Sequence, residues 1–286
     1  MVITPEQATD LSPIFAGKRG KLLFKLGLWI TGIGKVNSLH QAVEDLGVEP
    51  GPDFAKGLLD QMRVDFRIGH PERLALPEGP FIVIANHFYG HLDGICLVDL
   101  LGHVRPKTKV MVNEFLMWIH GLSPNFIAVN PVTNASSGTT ATSISGVRSA
   151  LAQLHGGEPL ALFPSGAVAD VKPGKGWILE EREWQDAAIR LIRKARVPIV
   201  PIRFLDRNSR FYYALGLIDY RVRFARLFHE LFNKKGTHPR LIIGEAISVA
   251  QQDAVPEDRF KDFLRNSIYQ MPIPETYTLR SELWKK

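Results

Sequence analysis

His87 and Asp93 stand six positions apart in the stretch Phe81–Gly94, FIVIANHFYGHLDG. A free imidazole, with a pKa of about 6.5, can take a proton near neutral pH. A carboxylate bonded to its far ring nitrogen would fix the tautomer and stabilise the imidazolium that forms. The pair could therefore act as a general base that makes a hydroxyl nucleophilic. The bland alternative is a satisfied polar loop after a core strand. Phe81 to Ala85 is apolar, rich in β-branched side chains and too short for a typical helix, so it reads as a buried strand. A strand that runs into Asn86-His87 and a glycine-containing bend places the pair where open α/β sheets bind ligands, at a carboxyl end. Asp93 can turn back toward His87 if a helix begins near Leu92.

Two more strand ends carry unusual turns. Pro159–Pro164 is a buried-strand candidate that ends in Ser165-Gly166, and Val197–Phe204 contains Pro198 and Pro201 and carries Arg203 near its end. The two prolines predict an edge or irregular strand. Lys109–Val112, Phe126–Val129 (ending in Asn130-Pro131) and Arg240–Ile247 are further strand candidates. Helices are expected over Ser38–Val64 with a break at Gly51-Pro52, and over Leu97–Leu101, Phe115–Ile119, Ser145–Leu154, Trp184–Ala195, Tyr212–Leu231 and Glu257–Gln270. Gly174 to Glu183 reads as a surface loop. Strands alternating with helices through residues 81–247 predict an α/β fold with a mixed, largely parallel sheet flanked by helices. Asn134–Thr142, rich in Ser, Thr and Gly, is either a flexible loop or a helix entrance; it matches no phosphate-loop pattern.

The 286 residues suit one large α/β domain or one domain with a helical appendage. The expected division is a helical, membrane-contacting region at residues 1–64 and a catalytic domain at 65–286. The single cysteine, Cys96, excludes an internal disulfide framework and a Cys-based zinc cluster, and its apolar surroundings predict a buried side chain. The net charge of +6 fits anionic lipid, an acidic protein or nucleic acid. No secretory signal is visible in MVITPEQATD, and no apolar run of about 18 residues predicts a membrane span. Leu11 to Val43 holds no acidic residue but has Lys18, Arg19, Lys21, Lys25 and Lys35. Leu22, Leu26, Trp29, Ile30 and Ile33 make one helical stripe, which either packs on the domain or lies in a membrane interface.

Three blocks in order, Asn86-His87 with Asp93, Phe163-Pro164-Ser165-Gly166, and Val197-Pro198-Ile199-Val200-Pro201, resemble those of the glycerolipid-type (PlsC-like) acyltransferase superfamily. The likeness departs from the commonest pattern twice: five residues rather than four separate His from Asp, and Ser165 stands where Glu is usual. Both departures are similar to the hemolysin-like aminolipid O-acyltransferase branch, which makes ornithine or glycine lipids. Asp206-Arg207-Asn208-Ser209, Phe211-Tyr212, Ile243-Gly244-Glu245-Ala246-Ile247 and Gly51-Pro52-Asp53-Phe54 extend it over most of the chain.

The resemblance implies an O-acyltransferase that esterifies the 3-hydroxyl of an N-acylated amino acid. It takes the acyl group from an acyl carrier protein thioester or a coenzyme A thioester and needs no other cofactor. His87 would be the base and Asp93 its orienter. Asn86 could hold the loop or donate to substrate, and Asn130 is a further substrate-site candidate. The Ser165-Gly166 turn could face the acceptor or the developing oxyanion. Arg203 is a candidate for the acceptor carboxylate, against a surface ion pair. Asn208 either binds substrate or, with Ser209, closes a turn. Arg203, Arg207, Arg210, Arg221, Arg223 and Arg226 make a basic run that could dock an acidic carrier protein or anionic headgroups, or could simply be solvated.

Other classes make different demands. A lysophosphatidic acid acyltransferase shares the machinery and differs in acceptor. A metal-dependent hydrolase would use His87, His91 and Asp93 with His103 or His155, a spacing that fits no ligand motif. A lipid- or nucleic-acid-binding protein would not need the His–Asp pair, and no nucleic-acid motif is present. The expected location is peripheral, on the cytoplasmic face of a bacterial inner membrane, with a lyso-lipid acceptor, an acyl carrier protein and an anionic membrane surface as partners.

Overall fold

A computed structural model describes Leu22 and residues 31–130, 141–172, 178–218 and 220–284. Most of the basic N-terminal stripe and most of Asn134–Thr142 lie outside these residues. The elements run α1 (Ile33–Glu44), α2 (Pro52–Gln61), β1 (Arg67–Gly69), β2 (Ile82–Ala85), α3 (His91–Val104), β3 (Lys109–Asn113), β4 (Phe126–Val129), α4 (Ala141–His155) and β5 (Leu160–Leu162). They continue with β6 (Asp170–Val171), β7 (Leu179–Glu180), α5 (Asp186–Ala195), β8 (Ile199–Phe204), α6 (Arg210–Ile218), α7 (Tyr220–Phe232), β9 (Arg240–Ile243), α8 (Val249–Asp253), α9 (Glu257–Tyr269), β10 (Thr278–Leu279) and α10 (Arg280–Leu283). Among the described residues no helix is long and apolar enough to cross a membrane.

Eight strands form one sheet in the order β10-β1-β9-β8-β2-β5-β3-β4. Within this sheet, among the described residues, the β10–β1 and β9–β8 pairings are antiparallel and the others parallel; β6 and β7 form a separate antiparallel pair. β8, β2 and β5 are parallel neighbours, so their carboxyl ends share one edge of the sheet. Ile82 to Ala85 are all fully buried, because the sheet is covered on both faces and its strands are apolar on both. One face packs Val83, Ala85, Val200 and Ile202 against α1, α2, α3 and α7. The other packs Ile82, Ile84, Leu160 and Ile199 against α4, α5 and α9. Cys96 is buried in the first of these clusters. α1 and α2 contribute Val43, Phe54 and Leu59 to it as well, so residues 33–61 share a core with the sheet.

Two expectations need correction, and one open alternative is decided. Of the edge or irregular strand expected at Val197–Phe204, β8 is the irregular one, bulged in the interior of the sheet. Ile199 opposes Ile247 while Ile202 opposes Ile243, so three steps on β8 face four on the β9 side. Pro201 falls at this bulge, where no ladder N–H is required of it, and its carbonyl accepts from Gly244 N at 2.8 Å. The single helix expected over Tyr212–Leu231 is a hairpin of α6 and α7. The expected surface loop at 174–183 carries β7 and then Glu181, whose side chain is buried.

Candidate active site

α3 starts at His91, with Gly90 as its N-cap at φ +83°. That conformation favours glycine, and a β-carbon there would also stand 3.0 Å from Leu227. Asp93 lies in the first turn of α3 and is fully buried. Its Oδ2 accepts three hydrogen bonds: from Tyr89 N at 2.8 Å, from Gly90 N at 3.1 Å and from His87 Nδ1 at 3.0 Å. The residue that caps the helix thus also orients the histidine, and its negative charge is favoured at a helix N-terminus. With Nδ1 engaged as donor, the lone pair lies on Nε2, on the side of the ring away from Asp93. The His87 ring stacks on Phe163, with centroids 4.1 Å apart and planes at 27°, which fixes its tilt.

A second carboxylate, absent from the sequence expectations, supports the same turn. Glu181 is only 3 % exposed and accepts four hydrogen bonds. Its Oε1 takes His87 N at 2.7 Å and the Ser165 hydroxyl at 3.0 Å. Its Oε2 takes the Trp184 indole N–H at 3.0 Å and the Tyr269 hydroxyl at 2.8 Å. Ser165, standing where the related blocks carry Glu, is therefore the hydrogen-bond partner of a Glu supplied sixteen residues later.

His87 opens into a cavity of about 850 Å³, at the upper end of the usual size for small-molecule sites. Its wall is mostly aliphatic and aromatic, with Leu116, Val147, Leu191 and Phe228 among the residues forming it. Among the described residues no aspartate or glutamate lines it, whereas Arg182 and Arg223 do. Asp170 bridges these two, pairing with Arg223 Nη1 and with Arg182 Nε at 3.2 Å. One carboxylate between two guanidiniums leaves one positive charge over. Arg223 Nη1 also donates to Ala169 O at 3.2 Å, and Ala169 N donates to His87 O at 2.8 Å, so a single residue links the guanidinium to the histidine. Burial lowers the Arg223 pKa, which strengthens its demand for an anionic partner. His91 also lines the cavity and stacks on Phe228 at 4.6 Å. Burial, and then the neighbouring His87, lowers the His91 pKa to about 4, so it is neutral at pH 7.

The remaining candidates fall into distinct places. Asn86 is fully buried and pairs with the backbone of Phe204 in both directions, accepting from its N–H at 2.7 Å and donating to its C=O at 2.9 Å. Asn208 donates to Tyr89 O at 3.2 Å and braces the turn between His87 and Asp93. Asn130 lines the cavity and donates to Glu114 at 3.3 Å. Gly166, at φ +64°, lines it too, but its N–H is bonded to Phe163 O at 2.9 Å. Arg203 is outside the cavity lining: it donates to Met271 O at 3.0 Å and lies 6.0 Å from the Tyr269 ring. His103, suggested as a metal ligand, bonds Asp99 O at 2.7 Å and Asp53 at 3.3 Å. Among the described residues no three His, Cys, Asp or Glu side chains are grouped to hold a metal ion.

The family model described as "Acyltransferase" matches residues 36–272. The chain belongs to the acyltransferase family. This acyltransferase is 24 % identical over 242 residues to a lyso-glycine lipid O-acyltransferase of Bacteroides thetaiotaomicron, covering 82 % of this chain and 83 % of the relative. It is also 24 % identical over 267 residues to the protein of the same description from Phocaeicola vulgatus, with 90 % and 91 % covered. Among solved structures, the 1-acyl-sn-glycerophosphate acyltransferase PlsC of Thermotoga maritima aligns over 93 % of this acyltransferase and 95 % of that chain, at 14 % identity and a TM-score of 0.49.

Proposed function

We propose that this enzyme transfers a fatty acyl group from an acyl carrier protein or coenzyme A thioester to the hydroxyl of a lyso-aminolipid. The observation that carries the reading is a His–Asp pair opening into a large apolar cavity whose charged side chains are guanidiniums. The lyso-glycine lipid named for both curated relatives is an acceptor of that chemistry. In the proposed step His87 Nε2 takes the proton as the acceptor hydroxyl oxygen attacks the thioester carbonyl. The tetrahedral intermediate then collapses, the C–S bond breaks, and the protonated imidazole returns the proton to the leaving thiolate. Products are an ester and a thiol, and no acyl-enzyme is formed. Asp93 stabilises the imidazolium, and Glu181 positions it through the His87 backbone. Arg182 and Arg223, rather than Arg203, receive the acceptor carboxylate; a monoanion matches the one positive charge that Asp170 leaves over. The apolar wall takes the chains, at about 0.8 kcal/mol for each methylene removed from water. The enzyme works as a peripheral protein on the cytoplasmic face of a bacterial inner membrane.

The test is acyl transfer by purified protein with each thioester. Lyso-glycine lipid, lyso-ornithine lipid and lysophosphatidic acid serve as parallel acceptors, with wild type and His87→Ala compared. Ester formed on an amino-acid acceptor, reduced by at least about 10²-fold in the variant, is the expected result. Activity confined to lysophosphatidic acid would move the enzyme to phospholipid synthesis. A variant turning over like wild type would remove His87 as base.

A further inference from the structure

Five of the ten large hydrophobic side chains exposed among the described residues fall in one short stretch, the α6–α7 hairpin. Ile218 is 79 % exposed and Phe211 58 %, while Leu217, Val222 and Phe224 are each 48 % exposed. Ile178, also exposed, adjoins Leu179, which packs with Tyr212 under the hairpin. Scattered single apolar residues are ordinary on a surface, but a group of this kind marks an interaction site. Two further features restrict what it meets. Between Arg207 and His229 the sequence has five arginines against one acidic residue, Asp219. Arg207 and Arg210 are exposed, and the Arg226 guanidinium lies 5.5 Å from the Phe211 ring. The patch also runs into the site, because Phe224 lines the cavity that His87 opens into and meets Phe115 edge-on at 5.7 Å.

We propose that the α6–α7 hairpin is a membrane-insertion element: Phe211, Leu217 and Ile218 enter the interface of an anionic bilayer, and the cavity mouth beside Phe224 opens onto the lipid. An apolar tip with arginines beside it matches the boundary between acyl chains and anionic headgroups. It gives an amphiphilic acceptor a route from the bilayer to His87 past Phe224 and the largely apolar cavity wall. This contact is separate from the basic N-terminal stretch and does not depend on which acceptor is used.

The experiment uses the full chain and vesicles of phosphatidylcholine with or without phosphatidylglycerol. The double variant Leu217→Asp/Ile218→Asp changes two exposed residues outside the cavity lining, and thermal melting checks that it is folded. Its partition onto phosphatidylglycerol vesicles should weaken by at least about tenfold, while turnover of a short-chain, water-soluble acceptor stays at the wild-type rate. In a second measurement, Ile218→Trp should show blue-shifted emission with vesicles and quenching by brominated acyl chains. Undiminished vesicle binding by the double variant, or Trp emission that vesicles leave unchanged, would overturn the proposal. So would a double variant that loses only carrier-protein binding or only self-association. An inactive wild type would count against the acceptor reading alone, since partition and emission are measured without turnover.

Discussion

Replacing Asp93 by asparagine tests how the site holds its base. Oδ2 accepts from His87 Nδ1, Tyr89 N and Gly90 N at 2.8–3.1 Å, and two of these donors are backbone groups that cannot turn away. An amide NH₂ at this position would face three N–H donors, so the asparagine must place its oxygen there. His87 Nδ1–H then keeps an acceptor and Nε2 keeps its lone pair. What disappears is the charge that stabilises the imidazolium. A hydrogen bond to a charged group is worth about 1.5–3 kcal/mol, which as a barrier increase slows the reaction roughly 10- to 150-fold. An Asp→Asn change that forces the wrong tautomer costs about 10⁴-fold, so the two cases separate cleanly. The assay is thiol release from the thioester donor at saturating acceptor, with a melting curve for each variant. Asp93→Ala is the less informative change: it strands three donors at about 1–3 kcal/mol each, comparable with the whole stability of a domain. A loss near 10⁴-fold for the asparagine variant would show that the shared-acceptor argument is wrong. A loss below about threefold would show that the Asp93 charge is not used.

Glu181→Gln keeps one oxygen for His87 N and Ser165 but sets an NH₂ against the Trp184 indole N–H, so unfolding by urea should show a loss of about 1–3 kcal/mol; equal stability would mean that Glu181 is not the hub of this turn. His91 is neutral in the folded protein because burial lowers its pKa to about 4, whereas the unfolded chain takes its proton near 6.5. Stability is therefore lost as pH falls through that window, by about 1.3 kcal/mol between pH 7.5 and 5.5. His91→Phe should flatten the loss by that amount, and parallel pH–stability curves for the two proteins would assign it elsewhere. Arg182→Gln should lower kcat/KM for a carboxylate acceptor by roughly 10- to 150-fold, mainly through KM. The same acceptor capped as a carboxamide should barely respond; equal losses on both would remove Arg182 from carboxylate recognition.

Much of this arrangement was legible in the chain. β4 matches its expected span, and β2 differs by one residue, because apolar runs buried on both faces have a plain signature. The His87–Asp93 pairing was readable because both partners belong to one strand–turn–helix segment, where spacing translates into geometry. Arg203 shows where the reading ended. Strand alternation puts it on the same face of β8 as Ile199, where α9 packs, and its guanidinium is held by Met271 O outside the cavity lining. The sequence contains that alternation but not which side chains of each face the cavity reaches. Glu181 was hidden for a related reason: it sits in a polar, turn-rich stretch, and only the tertiary fold brings Ser165, Trp184 and Tyr269 around it. Pro201 left an edge and an irregular strand both open, because the bulge that admits it to the interior is formed by residues more than forty positions later.

The pairing of Asn86 with Phe204 bears on how the site breathes. The backbone ladder between β2 and β8 ends at Ala85 opposite Ile202. Beyond it, the Asn86 amide engages the Phe204 peptide in both directions, a side chain doing what one more rung of backbone would do. A strand end normally frays, opening at a small fraction of the global unfolding free energy. Here the last fixed point has been moved past the end of the strand, directly beneath His87. The Phe204 amide proton should then exchange with solvent as slowly as those at the sheet's centre, so that the histidine stays anchored while the hairpin and the chains in the cavity move.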